Sequence, residues 1–140
     1  MIDRKTFLSH FVICLAIAGG VSFAYMKGVP QAVYAADESM MTSVIALLFV
    51  TSTTRLGYDA WWLDREGPAW GHLTVRLSVM AGIVGTAVGL SLQAKSLIGG
   101  SAAFGPLATS LYTTVTGATS AILLELMTFN LEAGIKRAAK

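Results

Sequence analysis

The chain has 140 residues, of which 54% are hydrophobic and only 13% charged, with a formal net charge of +2 and a mean hydropathy of +0.65. A soluble domain carries about 25% charged residues, so this chain lacks the charge to cover a soluble surface and reads as an integral membrane protein. The basic residues form no stripe or groove, which argues against nucleic acid as a partner, and a single cysteine, Cys14, excludes an intrachain disulfide and any multi-cysteine metal site.

A spanning helix needs about 20 apolar residues. The first such stretch is 7–25, "FLSHFVICLAIAGGVSFAY", which follows Arg4 and Lys5. Within it Cys14 reads as a small hydrophobe, and His10 is expected near the interface. Arg4–Lys5, the apolar core and "AVYAAD" together resemble a secretory signal peptide cut after Ala35 or Ala36. The apolar core ends about ten residues before that site, so the segment is expected to remain as a span. A connector, 26–38, carries Pro30, Asp37 and Glu38.

The second stretch, 40–54, "MMTSVIALLFVTSTT", is short for a span and has room to extend at either end. The next connector, 55–72, holds Arg55, Asp59, Asp64, Arg65 and Glu66, with Trp61, Trp62 and Trp70 around them. Tryptophan favours the headgroup level, so the connector is expected to be a short interfacial element. The third stretch is 73–92. A Gly/Ser-rich turn, 93–106, leads into the fourth, 107–129.

Lys and Arg set orientation. Arg4 and Lys5 at one end, Arg55, Arg65 and Arg76 in the middle, and Lys136, Arg137 and Lys140 at the other end place both termini and the middle connector in the cytoplasm. Only Lys27 and Lys95 fall in the other two connectors. The expected fold is all-α: one membrane domain over residues 1–140, four transmembrane helices, cytoplasmic termini.

Helix three contains "GIVGTAVGL", in which Gly82, Gly85 and Gly89 recur at spacings of three and four and share one face. Such a face lets a second backbone approach closely, and close packing is what holds helices together in lipid. Helix four carries Thr109, Ser110, Thr113, Thr114, Thr116, Thr119 and Ser120. Each hydroxyl can bond a carbonyl of its own helix. Two readings of this polar face stand: hydrogen-bonding glue between helices, or the wall of a wet or partner-facing path.

Arg76 and Glu125 need partners, since a charge at a helix centre costs about 2.5–3.5 kcal/mol. With Thr86 and Thr114 level on antiparallel helices, both charges lie about 15–16 Å below them at about 1.5 Å per residue. A salt bridge between them, within or between subunits, is expected. No catalytic constellation, phosphate loop or metal-ligand spacing is visible, so no enzyme activity, cofactor or metal is expected.

The pattern Gly82-Ile-Val-Gly85-Thr86-Ala-Val-Gly89, followed across a short turn by "PLATSLYTTVTG" with Thr114 and Gly117, resembles the MotA/TolQ/ExbB proton-channel family over about residues 73–130. The resemblance implies a homopentameric ring in the bacterial inner membrane. At its centre would sit a single-span partner of the MotB/ExbD/TolR kind, whose membrane aspartate takes up a proton or sodium ion. Ion flow would then drive motion within the complex. Carried onto this sequence, Thr86 and Thr114, with Thr113 beside them, become the ion-path residues. Gly82, Gly85, Gly89 and Gly117 become the close-packing residues. The chain departs from the family in having only the connector 55–72 where a large cytoplasmic domain usually stands. An alternative reading of the residues is a holin-like pore former with a basic tail, "GIKRAAK".

Overall fold

The computed structural model describes residues 4–37, 39–63, 66–99 and 105–139. They form five helices: α1 Arg4–Met26, α2 Val29–Ala36, α3 Met41–Trp62, α4 Gly67–Ile98 and α5 Gly105–Ala138. Among the described residues, α1, α4 and α5 are long and apolar enough to cross a membrane, which marks a multi-pass membrane protein.

Local chemistry explains where the helices break. Gly28 takes a left-handed φ of 74°, a conformation open to glycine, and divides α1 from α2. Pro30 in the first turn of α2 fixes a helical φ where no N–H is needed. Before α3, the Asp37 carboxylate accepts the Ser39 N–H at 3.0 Å, the Ser39 hydroxyl at 2.6 Å and the Thr42 N–H at 2.7 Å. Partial burial works to raise the Asp37 pKa, but these donors outweigh it and hold the carboxyl below its ordinary value. Leu63, at φ 52°, ends α3 by returning its N–H to the Asp59 carbonyl.

Two sequence expectations change here. Residues 55–62 are not an interfacial connector: α3 continues through them, and α4 begins at Gly67 with Pro68 in its first turn. Trp61 packs edge-on against Phe7 of α1, with ring centroids 4.7 Å apart. Residues 93–98, expected in a turn, extend α4, while 100–104 of that turn and Asp64 and Arg65 of the connector lie outside the described residues. Hydropathy marks the thickness of a hydrocarbon layer, about 30 Å. At 32 and 34 residues, α4 and α5 run for about 48 and 51 Å, so their ends are polar and escape that signal.

The helices α1, α3, α4 and α5 alternate in direction. The start of α1 meets the end of α5, where the Asn130 amide donates to the Thr6 carbonyl at 3.1 Å. Both ends of the described chain thus lie at one end of the bundle. There Leu56, Ala60, Leu124, Met127 and Leu131 form an apolar cluster, flanked by Cys14 and Ile17.

Elsewhere the interior is inverted relative to a soluble protein. Buried hydroxyl residues such as Thr42, Ser52, Ser78, Thr109 and Thr113 outnumber buried apolar ones, while Leu8, Leu47, Ile83, Leu111 and Ile122 face outward. Without a hydrophobic drive between helices, small residues and hydroxyls pack the inside and apolar side chains meet the lipid. His10 joins this interior: it is buried, with its ring against Gly57 of α3.

Candidate functional site

Helices α4 and α5 lie antiparallel in close contact, and their register follows from glycine. A Cβ on Gly89 would stand 2.6 Å from the Pro106 carbonyl oxygen and 2.7 Å from the Ser110 nitrogen. One on Gly85 would meet the Thr113 side chain at 2.6 Å, and one on Gly82 the Thr113 carbonyl at 3.2 Å. From the other side, a Cβ on Gly117 would stand 2.8 Å from the Ser78 carbonyl and 3.0 Å from the Gly82 Cα. The four glycines read as packing positions therefore fall together in one seam.

That seam is longer than the sequence pattern indicated. Every buried residue of α4 is small: Gly67, Gly71, Thr74, Ser78, Gly82, Gly85 and Gly89. Gly71 seats the Thr128 side chain, and Gly67 seats Leu131 and Asp59. The signal was present as spacings of three and four running back from Gly82 through Ser78 and Thr74 of the third stretch, and its last two members, Gly71 and Gly67, lay in what read as the connector.

The register brings Thr86 and Thr114 together. Their hydroxyl oxygens are in direct hydrogen-bond contact across the two helices. Thr86 Oγ1 also lies 2.8 Å from the Gly82 carbonyl, and Thr114 Oγ1 lies 2.7 Å from the Ser110 carbonyl. Thr86 Oγ1 is also 3.4 Å from the Ser110 carbonyl, so two hydroxyl protons serve four contacts. Thr86 can donate to Thr114 while Thr114 donates to Ser110, or Thr114 can donate to Thr86 while Thr86 donates to Gly82 or to Ser110. Rotation about the two C–O bonds exchanges these arrangements, because a hydroxyl rotor is both donor and acceptor. Thr114 is exposed on the flank of the pair, so its hydroxyl opens outward.

The remaining hydroxyls divide by face. Thr113 is fully buried under Gly85 and donates to the Thr109 carbonyl at 2.9 Å. It lies inside the seam, and its hydroxyl is also 3.2 Å from the Ser110 carbonyl, the acceptor that Thr114 and Thr86 approach. Thr116 donates to the Tyr112 carbonyl at 2.7 Å, on the side of α5 away from Thr114. Both earlier readings of the polar helix thus find residues: glue on the buried face, an open hydroxyl pair on the flank.

Within the chain, the expected Arg76–Glu125 pair does not form. Glu125 instead has its Oε2 3.4 Å from His72 Nδ1, while His72 Nε2 lies 3.0 Å from Glu132 Oε1. Lys136 stands 3.8 Å from the other Glu132 oxygen. Arg76 is exposed and makes no ion pair among the described residues. The α4–α5 register explains this: His72, one helical turn before Arg76, falls between Glu125 and Glu132, which lie two turns apart on α5. Among the described residues no cluster of His, Cys, Asp or Glu could hold a metal ion.

These features define a class: an all-helical, multi-pass membrane protein with a glycine-seamed helical hairpin and an open hydroxyl pair on its flank. No family model, curated protein or solved structure matches the chain.

Proposed function

We propose that the chain is a ring subunit of an ion-driven, energy-transducing membrane complex, in which Thr86 and Thr114 line the path of a proton or sodium ion. The observation that carries this reading is the direct contact of the two hydroxyls at the open flank of the hairpin. Two interchangeable rotors side by side can hand a proton along or solvate a passing cation. A pair retained only for packing would be buried in the seam, as Thr113 is. The resemblance to the MotA/TolQ/ExbB family supplies the rest: a homopentamer around a single-span partner that carries an acidic side chain, in the bacterial inner membrane.

This reading takes α3 as the fourth span. Its 22 residues reach about 33 Å, and its hydropathy is lowered by Arg55 and Asp59 and by Thr and Ser residues on both its buried and its exposed faces. The distribution of Lys and Arg supports cytoplasmic termini in this reading.

The test is ion flux in proteoliposomes and particle symmetry in detergent. The chain alone should form five-fold rings with little flux. Flux should appear with the partner and be lost in Thr86→Val and Thr114→Val without loss of the ring, since valine keeps the volume and removes the hydroxyl. Normal flux in both variants would overturn the ion path. Large, variable holes made by the chain alone would favour the holin-like reading.

A further inference from the structure

The hydroxyl pair is one level of a longer stripe on the hairpin's flank. Glu125 and Glu132 follow Thr114 by about three and five helical turns, so the three share one face of α5. On α4, Val79 and His72 precede Thr86 by about two and four turns. The two stripes meet at both levels: Thr86 touches Thr114, and His72 touches Glu125 and Glu132. In the other direction, two turns past Thr86, the Gln93 Oε1 is buried with no partner among the described residues. Between the hydroxyl level and the His72 level, a separation of about 16 Å along α5, the stripe carries the exposed Val79 and Ala118. The next group on this stripe that can take a proton is therefore the His72 cluster.

The cluster has a proton count to satisfy. His72 Nδ1 lies 3.4 Å from Glu125 Oε2, and Nε2 lies 3.0 Å from Glu132 Oε1. A neutral imidazole carries one N–H and one lone pair. With both carboxylates ionised, one of the two contacts sets a lone pair against an oxygen, and the cluster is one proton short. Uptake of a proton makes an imidazolium that donates to both acids. The ring and Glu125 are about half exposed, so water reaches them. Lys136 stands 3.8 Å from the other Glu132 oxygen, and Arg76 lies one turn further along α4. On α3, Asp59 lies against Gly67 and is held by Arg55 at 3.0 Å. Two acids against Lys136 and Arg76 leave the cluster neutral beforehand, so a proton taken up is also given back.

We propose that His72, with Glu125 and Glu132, accepts the proton after it passes the Thr86–Thr114 pair and releases it to water at the end of the bundle where the termini lie. This role rests on the ion-path reading and narrows it, because the ion is then a proton. Hard cations take oxygen ligands, whereas the central group here is an imidazole, which gains and loses protons near neutral pH. The step balances. A carboxylic acid of the partner gives up H⁺ and becomes a carboxylate, neutral His72 becomes an imidazolium, and the imidazolium returns H⁺ to water.

The first measurement needs no partner: ¹⁵N spectra of the full chain, labelled at histidine, in vesicles of phosphatidylethanolamine and phosphatidylglycerol. Both His72 nitrogens should become protonated within about pH 5–8, and Glu125→Gln should move that titration. The chain has two histidines, and His10→Gln identifies the other signal. A His72 ring that holds one proton throughout would overturn the proposal. The second measurement is proton flux in vesicles holding the complex with its single-span partner. His72→Ala should lower flux about a hundredfold, as expected for loss of a positioned proton acceptor, with the ring intact in detergent. Free imidazole on the side of the termini should restore part of that flux in His72→Ala but not in His72→Gln, whose side chain still fills the space. Loss that imidazole does not restore would make His72 a structural residue. Normal flux in His72→Ala, with flux lost in Thr86→Val, would remove the acceptor and leave the ion path standing. Normal flux in both would remove the ion path and the acceptor with it. Flux of sodium without protons would overturn the assignment of the ion.

Discussion

Arg137 donates from Nη2 to the Thr6 hydroxyl at 3.1 Å, so the last turns of α5 hold the first turn of α1. Thr6 is fully buried, and its side chain occupies the space where Gly134 lacks a Cβ. Gly134→Val should therefore expel Thr6 and release α1, at about 1–3 kcal/mol, the range for overpacking. Arg137→Ala removes only a partly solvated hydrogen bond and should cost about 1 kcal/mol. Unfolding titrations in mixed micelles give both values. An unchanged midpoint for Gly134→Val would mean that the two ends are not clasped.

The glycine seam makes a graded prediction. Gly89→Ala and Gly117→Ala direct a methyl at backbone atoms less than 3.0 Å away and should separate α4 from α5. Gly82→Ala meets the Thr113 carbonyl at 3.2 Å and should be milder. Gly19 and Gly20 have open space around them, so alanine there should fall within about 1 kcal/mol of neutral. A cysteine pair placed across the hairpin, with its rate of disulfide formation followed, reads the separation directly. Equal tolerance at Gly89 and Gly19 would contradict the seam.

Glu125 should couple to His72 within one chain. Both side chains are about half exposed, so a double-mutant cycle of His72→Gln with Glu125→Gln should show about 0.2–1 kcal/mol of coupling. The cycle of Arg76→Gln with Glu125→Gln should be additive in a monomer. Coupling in that second cycle, present only in assembled particles, would reveal an ion pair between subunits.

The turn before α3 should weaken in acid. Asp37 has a folded pKa below its unfolded value, so its contribution is fully present above the unfolded value of about 3.9 and is lost as pH falls through the folded one. Hydrogen exchange at the amides of Ser39 and Thr42, corrected for the intrinsic pH dependence, should accelerate below about pH 4. Asp37→Asn should remove that acid step. Persistence of the step in Asp37→Asn would assign it to another group.

Much of the hairpin was legible in advance because its cause is local. Gly82, Gly85 and Gly89 state their common face by spacing alone, whereas the level of Thr86 with Thr114 entered as a premise and is set by the glycine contacts between α4 and α5. Thr74 and Ser78 continue the same spacing within the third stretch, and Gly71 and Gly67 carry it on beyond, where Trp70 and His72 break the apolar run, although a helix needs no apolar run to continue past the membrane. The partner of Glu125 was misplaced for a related reason. Rise along the axis put Arg76 level with it, yet position around the axis decides which side chain arrives, and His72 arrives. The placement of the short helix α2 depends on four helices meeting, which no single stretch of sequence records.

The seam between α4 and α5 has a consequence for how the hairpin forms. Glycine surrenders no side-chain rotamers on packing, and serine and threonine surrender few. Assembly of the pair therefore freezes almost nothing beyond the helices themselves. What holds it is dispersion and weak Cα–H to carbonyl contact, both of which fade within a fraction of an ångström. A partly seated hairpin gains almost nothing, and a fully seated one gains along its whole length. The joint behaves as a snap fit, so the spacing between Thr86 and Thr114 is set by the entire seam rather than by the two residues that meet there.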